Sequence, residues 1–157
     1  MSGASTDPAA DAPRTGLRLS LVVPVYNEEE VIERFLAEVD RHRPSILAAL
    51  GEGGALEVLF VDDGSRDRTA QLAERLAAAR PDVALIKLSR NFGKDAALAA
   101  GLAHAAGDAV IPMDVDLQDP PDVAPQMIAA WRAGAKVVNA RRRSRGVDTR
   151  MKRASAA

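Results

Sequence analysis

With 157 residues, 47% hydrophobic and 27% charged, the chain has the size and composition of one ordinary globular domain, which excludes disorder throughout. The absence of cysteine removes disulfides and thiolate metal sites, and His42 and His104 are the only histidines, which disfavours a zinc site and points any metal to a hard, oxygen-bound ion. The formal charge of −1 is uneven: residues 141–153 hold seven Arg or Lys against one Asp, a net +6 that leaves −7 on the rest and calls for an anionic partner.

In chain order, residues 1–17 are rich in Ala, Pro, Ser and Asp and read as a disordered lead-in without the apolar stretch of a signal peptide. Residues 18–140 read as one domain and 141–157 as a basic tail; no run of about 18 apolar residues, the length a membrane-spanning helix needs, occurs anywhere. "LRLSLVVPVY" predicts a strand. "EEEVIERFLAEVDRHRPSILAAL" spaces Val31, Ile32, Phe35, Leu36 and Val39 on one helix face, with Pro44 expected to break or kink it. "ALEVLFVDD" predicts a second strand, Gly64 and Ser65 a turn, and "DRTAQLAERLAAAR" an amphipathic helix closed by Pro81. Strand "VALIKL", helix "KDAALAAGLAHAA", strand "DAVIPMD", helix "DVAPQMIAAWRAG" and strand "AKVVNA" follow. Five strands, each apolar on both faces and separated by helices, imply an α/β fold whose mostly parallel sheet is covered on two sides.

Ligands of such sheets bind beyond the carboxyl ends of the strands. The polar residues gather there: Pro24, Tyr26, Asn27 and Glu28 after the first strand; Asp62 to Ser65 after the second; Ser89 to Asn91 after the third; Asp114, Asp116 and Gln118 after the fourth; Arg141 after the fifth. The stretch "VIPMDVDLQDPP" crowds acids at one strand end with no gain in stability, which implies a positive guest among them. An extended Asp-x-Asp aims both carboxylates to one side, because side chains alternate along a strand.

"VVPVYNEEE", "FVDDGSRDRT", "SRNFGKDAALAAGLAHAAGDAVIPMDVDLQDPPD" and "VVNARRRSRG", in this order, resemble the nucleotide-sugar half of the family 2 glycosyltransferases, in the branch that loads sugars onto polyprenyl phosphate. The resemblance covers residues 18–153 and implies a GT-A fold, Rossmann-like but without a glycine-rich dinucleotide loop, ending before the acceptor-side and membrane segments of full-length relatives. It implies a nucleotide-sugar donor, UDP- or GDP-linked, and a polyprenyl-phosphate acceptor (undecaprenyl or dolichyl), joined with inversion. The cation is then Mg²⁺ or Mn²⁺ on Asp114 and Asp116, helped by the Gln118 amide, and it neutralises the leaving nucleoside diphosphate. Arg141 approaches the donor phosphates; Asp63 reaches the base or ribose, with Pro24, Tyr26 and Glu28 lining the same pocket. Val115 stands where the family more often has Ala and crowds the donor slightly. Lys94 and Asn91, at a helix start, suit phosphate or sugar, with an exposed lysine as the alternative. The resemblance further implies a cytoplasmic location at the membrane face, with the basic tail on anionic lipid and no nucleic-acid partner; a homo-oligomer stays open.

Bland readings stand beside these. Asp62 reads as a turn contact to the Gly64–Ser65 backbone, and Asp119 as an N-cap or a carboxylate with no proton-transfer role, since a phosphate acceptor is already ionised. His104 reads as structural and Trp131 as core. Two further functional classes remain: a nucleotide-sugar-binding fragment without turnover, and a nucleotidyltransferase that would release pyrophosphate from a triphosphate.

Overall fold

The computed structural model describes residues 15–140. Four parallel strands form one sheet: β1 (Arg18–Val25), β2 (Ala55–Asp62), β3 (Val83–Lys87) and β4 (Ala109–Pro112), in the order β3-β2-β1-β4. Between and after them run α1 (Ile32–Leu50), α2 (Thr69–Ala79), α3 (Lys94–His104) and α4 (Ala124–Arg132), the last preceded by a 3-10 turn at Pro121–Val123.

Strand β1 is central and buried on both faces, which is why its sequence is a continuous apolar run rather than an alternation. Leu19, Leu21, Val23 and Val25 point into the larger core, where Ile32, Phe35 and Val39 of α1, Leu72 of α2 and Ile128 of α4 meet them. Phe35 and Phe60 pack edge to face there, their centroids 6.1 Å apart. Val22 points the other way, with Leu59 and Val61, onto α3 through Ala97. At Gly101 the helix comes so close that an added Cβ would lie 2.3 Å from a Val22 methyl.

The chain order 1-2-3 moves outward from β1 on one side, and β4 then returns to the other side of β1. The order therefore reverses between β1 and β4. A crevice at their carboxyl ends is the expected ligand site of a doubly wound sheet.

Two expectations fail. Pro44 does not interrupt α1, which runs unbroken from Ile32 to Leu50. Pro44 is exposed, so its ring lies on the solvent side of the helix. The fifth strand, residues 135–140, is absent: that segment carries no ladder among the described residues, and Val137 is 78% exposed. Lys136 and Val138 instead line a groove of about 230 Å³ beside β4, which is only four residues long and ends at a proline with no N–H to share.

Candidate functional site

The first two carboxyl-end loops are sewn together by side chains acting on backbone. Asn27, in the left-handed region at φ 53°, donates its N–H to Ser65 Oγ (2.9 Å), while its side-chain carbonyl accepts from Arg66 N–H (2.8 Å). Glu28 N–H donates to Thr69 Oγ1 (2.7 Å), and Thr69 in turn donates to Asp67 Oδ1 at 2.5 Å. Glu29 accepts from Arg68 N–H (2.9 Å). The Glu28 carboxyl is thereby presented from a fixed backbone. Ser65 belongs to the strand-end cluster expected from the sequence; Asp67 and Thr69 do not, although the Ser-x-Asp-x-Thr spacing just before a helix is the signal that points to them.

Asp63 anchors the third loop. It is 4% exposed, and its two carboxylate oxygens accept from Phe92 N–H (2.8 Å) and Gly93 N–H (3.0 Å). Gly64, beside it at φ +75°, lets the second and third loops touch: an added Cβ would meet the Arg90 carbonyl carbon at 2.5 Å. Asp62 makes the turn contact expected of it, accepting from Ser65 N–H at 3.3 Å, and its other oxygen is buried with no partner among the described residues.

The two acids of the fourth loop reach the wall of one cavity by a different route from the one strand alternation suggests. β4 ends at Pro112, and Asp114 to Leu117 form a turn, with Leu117 N–H to Asp114 carbonyl at 3.4 Å and Leu117 at φ 62°. Val115, 4% exposed, is driven into the large core and pins the turn. Asp114 and Asp116 flank it on the wall of one cavity. Asp116 Oδ1 also accepts from Gln118 N–H at 3.0 Å. The Gln118 side chain itself is exposed and is not part of that wall.

The cavity, of about 260 Å³, opens at the switch point between β1 and β4. Pro24, Tyr26, Glu28, Asp63, Lys94, Asp114, Val115 and Asp116 all line it, joined by Val25, Asn91 and Gly93. Arg141 and the rest of the basic run lie outside the described residues. His104 sits on the exposed side of α3 with Nδ1 2.8 Å from the Ala100 carbonyl, and Trp131 is half-buried between the core and the groove beside β4. Asp119 is not the cap of the 3-10 turn, whose N-cap position is Pro120.

Among the described residues, four carboxylates and one ammonium line this space. Lys94 Nζ bonds Asp114 Oδ1 at 2.5 Å, and that bond holds the lysine above its ordinary pKa. Glu28 is pushed up, first by partial burial and then by the Asp116 and Asp67 charges. The negative field is thus only partly neutralised from within. The donor set is all oxygen and suits a hard divalent ion, although among the described residues no three acidic, His or Cys side chains form a ready-made metal cluster.

The glycosyl transferase family 2 model matches residues 20–156. The chain belongs to that family. A bactoprenol glucosyl transferase of Shigella phage SfV is 46% identical over 140 residues, which cover 89% of this chain and 44% of that protein. The chain thus spans less than half the length of such relatives. Among solved structures, the mannosyltransferase PcManGT from Pyrobaculum calidifontis, in complex with GDP-Man and Mn²⁺, superposes with a TM-score of 0.55 at 28% identity, covering 78% of this chain and 34% of that one. Glucosyl-3-phosphoglycerate synthase from Mycobacterium tuberculosis, in complex with Mn²⁺ and UDP-glucose, gives a TM-score of 0.52 at 28% identity, with 80% and 42% covered. The parallel sheet and helix layers of this family 2 chain are those of GT-A folds. No helix among its described residues is long and apolar enough to cross a membrane.

Proposed function

We propose that this chain is the donor-binding part of a glycosyltransferase that moves a sugar from a UDP- or GDP-sugar to a polyprenyl phosphate, with inversion and with help from Mg²⁺ or Mn²⁺. One observation carries the reading: a family 2 chain has, at its switch point, a cavity walled, among the described residues, by Glu28, Asp63, Asp114 and Asp116 against Lys94. A diphosphate entering such a cavity would meet net negative charge. Binding requires a cation between the two, and Asp114 and Asp116 are the acids offered by a single turn. Bound there, a divalent ion supplies neutralisation of the charge that develops on the departing nucleoside diphosphate.

The remaining residues bind and orient. Tyr26, 39% exposed, offers its ring to the base beside Pro24 and Glu28. Asp63, both oxygens already engaged by the third loop, keeps spare lone pairs for a ribose or base donor. Val115 limits the depth of the floor. The amino end of α3, with Lys94 at its first turn, faces where phosphates would lie. Gln118 and Arg141 enter through the family resemblance, as a second amide for the metal and as a phosphate fork. An acceptor phosphate oxygen, already ionised near neutral pH, attacks the anomeric carbon as the bond to the nucleoside diphosphate breaks, and a single displacement of this kind inverts the carbon. The basic run 141–153 suits the anionic cytoplasmic face of a membrane, where a polyprenyl phosphate would be met. A glucosyl transferase acting with bactoprenol, at 46% identity, favours this acceptor class.

Calorimetric titration with UDP- and GDP-sugars, with and without Mn²⁺, tests the reading. One donor should bind far better with Mn²⁺, and Asp116→Ala should remove the metal-dependent part of the affinity. An unchanged isotherm in that variant overturns the site. Supplying undecaprenyl phosphate separates transfer from donor binding without turnover.

A further inference from the structure

Among the described residues Lys94 is the one cation on the cavity wall, and its ammonium is paired with a single carboxylate oxygen. Its ammonium lies 2.5 Å from Asp114 Oδ1, although both side chains are largely accessible, at 64% and 38%. The backbone of the first residue of α3 thus sits where anions are favoured, while its side chain reaches back to an acid of the opposite loop. We propose that Lys94 is a resident counter-ion, which holds Asp114 in the ligand-free protein and is handed over to the donor's diphosphate when a divalent cation takes that carboxylate. The inference rests on the donor-site reading above and adds an order of events to it.

The geometry makes the two cations rivals. A divalent ion bonds carboxylate oxygen at about 2.0–2.2 Å, and an ammonium at 2.5 Å on the same oxygen would lie within strong repulsion of it. A divalent ion that takes Oδ1 itself therefore displaces the lysine from it. Because the pair is open to solvent it is a weak one, easily displaced by a doubly charged competitor. The released lysine stays tethered at the amino end of α3, inside the cavity, where an incoming diphosphate gives it a new partner. The pair therefore lowers the affinity for metal alone and raises it for metal and diphosphate together, a coupling that must be reciprocal.

The test uses Mn²⁺ alone, then UDP and GDP at saturating Mn²⁺, on wild type, Lys94→Met and Arg90→Met, with circular dichroism to verify folding. Arg90 is a nearby cation that stacks 4.4 Å from the Phe92 ring centroid rather than pairing with an acid of the cavity, so it controls for a general loss of positive field. Lys94→Met should bind Mn²⁺ alone about fivefold more tightly, which converts to about 1 kcal/mol. The same variant should bind the nucleoside diphosphate about tenfold more weakly, and Arg90→Met should move the Mn²⁺ affinity less than twofold. In addition, the Lys94 ammonium NMR signal should shift alike on addition of Mg²⁺ and in Asp114→Asn. Wild type that takes up neither Mn²⁺ nor a nucleoside diphosphate overturns the donor-site reading itself. Wild type that binds both, while Lys94→Met leaves the Mn²⁺ affinity unchanged or Arg90→Met raises it equally, overturns the hand-over alone.

Discussion

The two ends of the sheet treat charge in opposite ways. At the amino end, beside the start of β3, Arg80 forks onto Asp40 (2.7 and 2.9 Å) and Asp82 (2.7 and 3.1 Å), and Arg43 adds a bond to Asp82 at 2.6 Å. Glu57, at the same end, accepts from Ser20 Oγ and Ala106 N–H, and Asp108 accepts from Arg18 N–H. Acids there are matched and tie elements together. At the carboxyl end the loops are held instead by side-chain bonds to backbone and by close backbone contact, which leaves Glu28, Asp114 and Asp116 facing a cavity with one lysine among them. Asp40 and Asp82 are tied into the fold at one end, whereas at the other Asp63, Asp67 and Glu29 hold the loops and Glu28, Asp114 and Asp116 face the cavity. What distinguishes a site is therefore the incompleteness of its pairing rather than the density of its charge.

The largest expected effect comes from the backbone contact that frees the carboxyl-end acids from structural work. Gly64→Ala puts a side chain at φ +75°, about 1–2 kcal/mol for a non-glycine residue. It also sets a Cβ 2.5 Å from the Arg90 carbonyl carbon, overpacking against backbone that yields only by moving the third loop. Urea unfolding should show a loss of about 3 kcal/mol. Amide exchange at Phe92 and Gly93 should quicken as their bonds to Asp63 open. Wild-type stability in this variant would mean that the loops are not held as described.

Arg80→Ala attacks the other end. The network is half-buried, between the exposed pairs that contribute about 0–1 kcal/mol and the buried ones whose breakage costs about 3–5, so a loss of about 2 kcal/mol is expected. Hydrogen bonds from Arg80 outweigh burial and hold both Asp40 and Asp82 below the ordinary carboxylate value of 3.8. Depressed carboxylates contribute stability above the unfolded pKa and lose it as pH falls through the folded one. The gap between wild type and variant should therefore be full at neutral pH and shrink below about pH 4. Donor and Mn²⁺ affinity should not change. A variant that loses donor binding while remaining folded would erase the contrast between the two ends.

Much of this contrast was legible in the residues. Apolar runs of β1 and β2 required a sheet covered on both faces, and the strand-end rule put Tyr26, Glu28, Asp63 and the two fourth-loop acids at one edge, where they line a single cavity together with Lys94 from the start of α3. The short edge was not legible. Residues 135–140 read as a strand from their paired valines, yet pairing needs a partner, and β4 offers four residues closed by Pro112. Nor could alternation say that Asp114 and Asp116 reach one cavity through a turn whose middle residue, Val115, is buried, because that burial is a tertiary fact. The Lys94–Asp114 pair, 20 residues apart in sequence, and the Arg80 network, spanning 40, depend on loop closure that no local pattern records.

The smallest expected effect is the sharpest test of unspent charge. Asp116→Asn keeps an oxygen to accept from Gln118 N–H, now 3.0 Å from Asp116 Oδ1, so the turn loses no bond. It removes one of the two neighbouring charges that, after burial, push Glu28 up. If the fourth-loop acids are held against their mutual repulsion for the sake of a ligand, this variant gains stability, by about 0.5 kcal/mol or about 1–2 °C in Tm. The Glu28 carboxyl should titrate at a lower pH by NMR. The gain should vanish when Mn²⁺ and the donor are present, since wild type alone then draws on the bound cation. A loss of stability without ligand would show that Asp116 is already spent on the fold, as Asp40 and Asp82 are, and the difference between the two ends of the sheet would be one of degree.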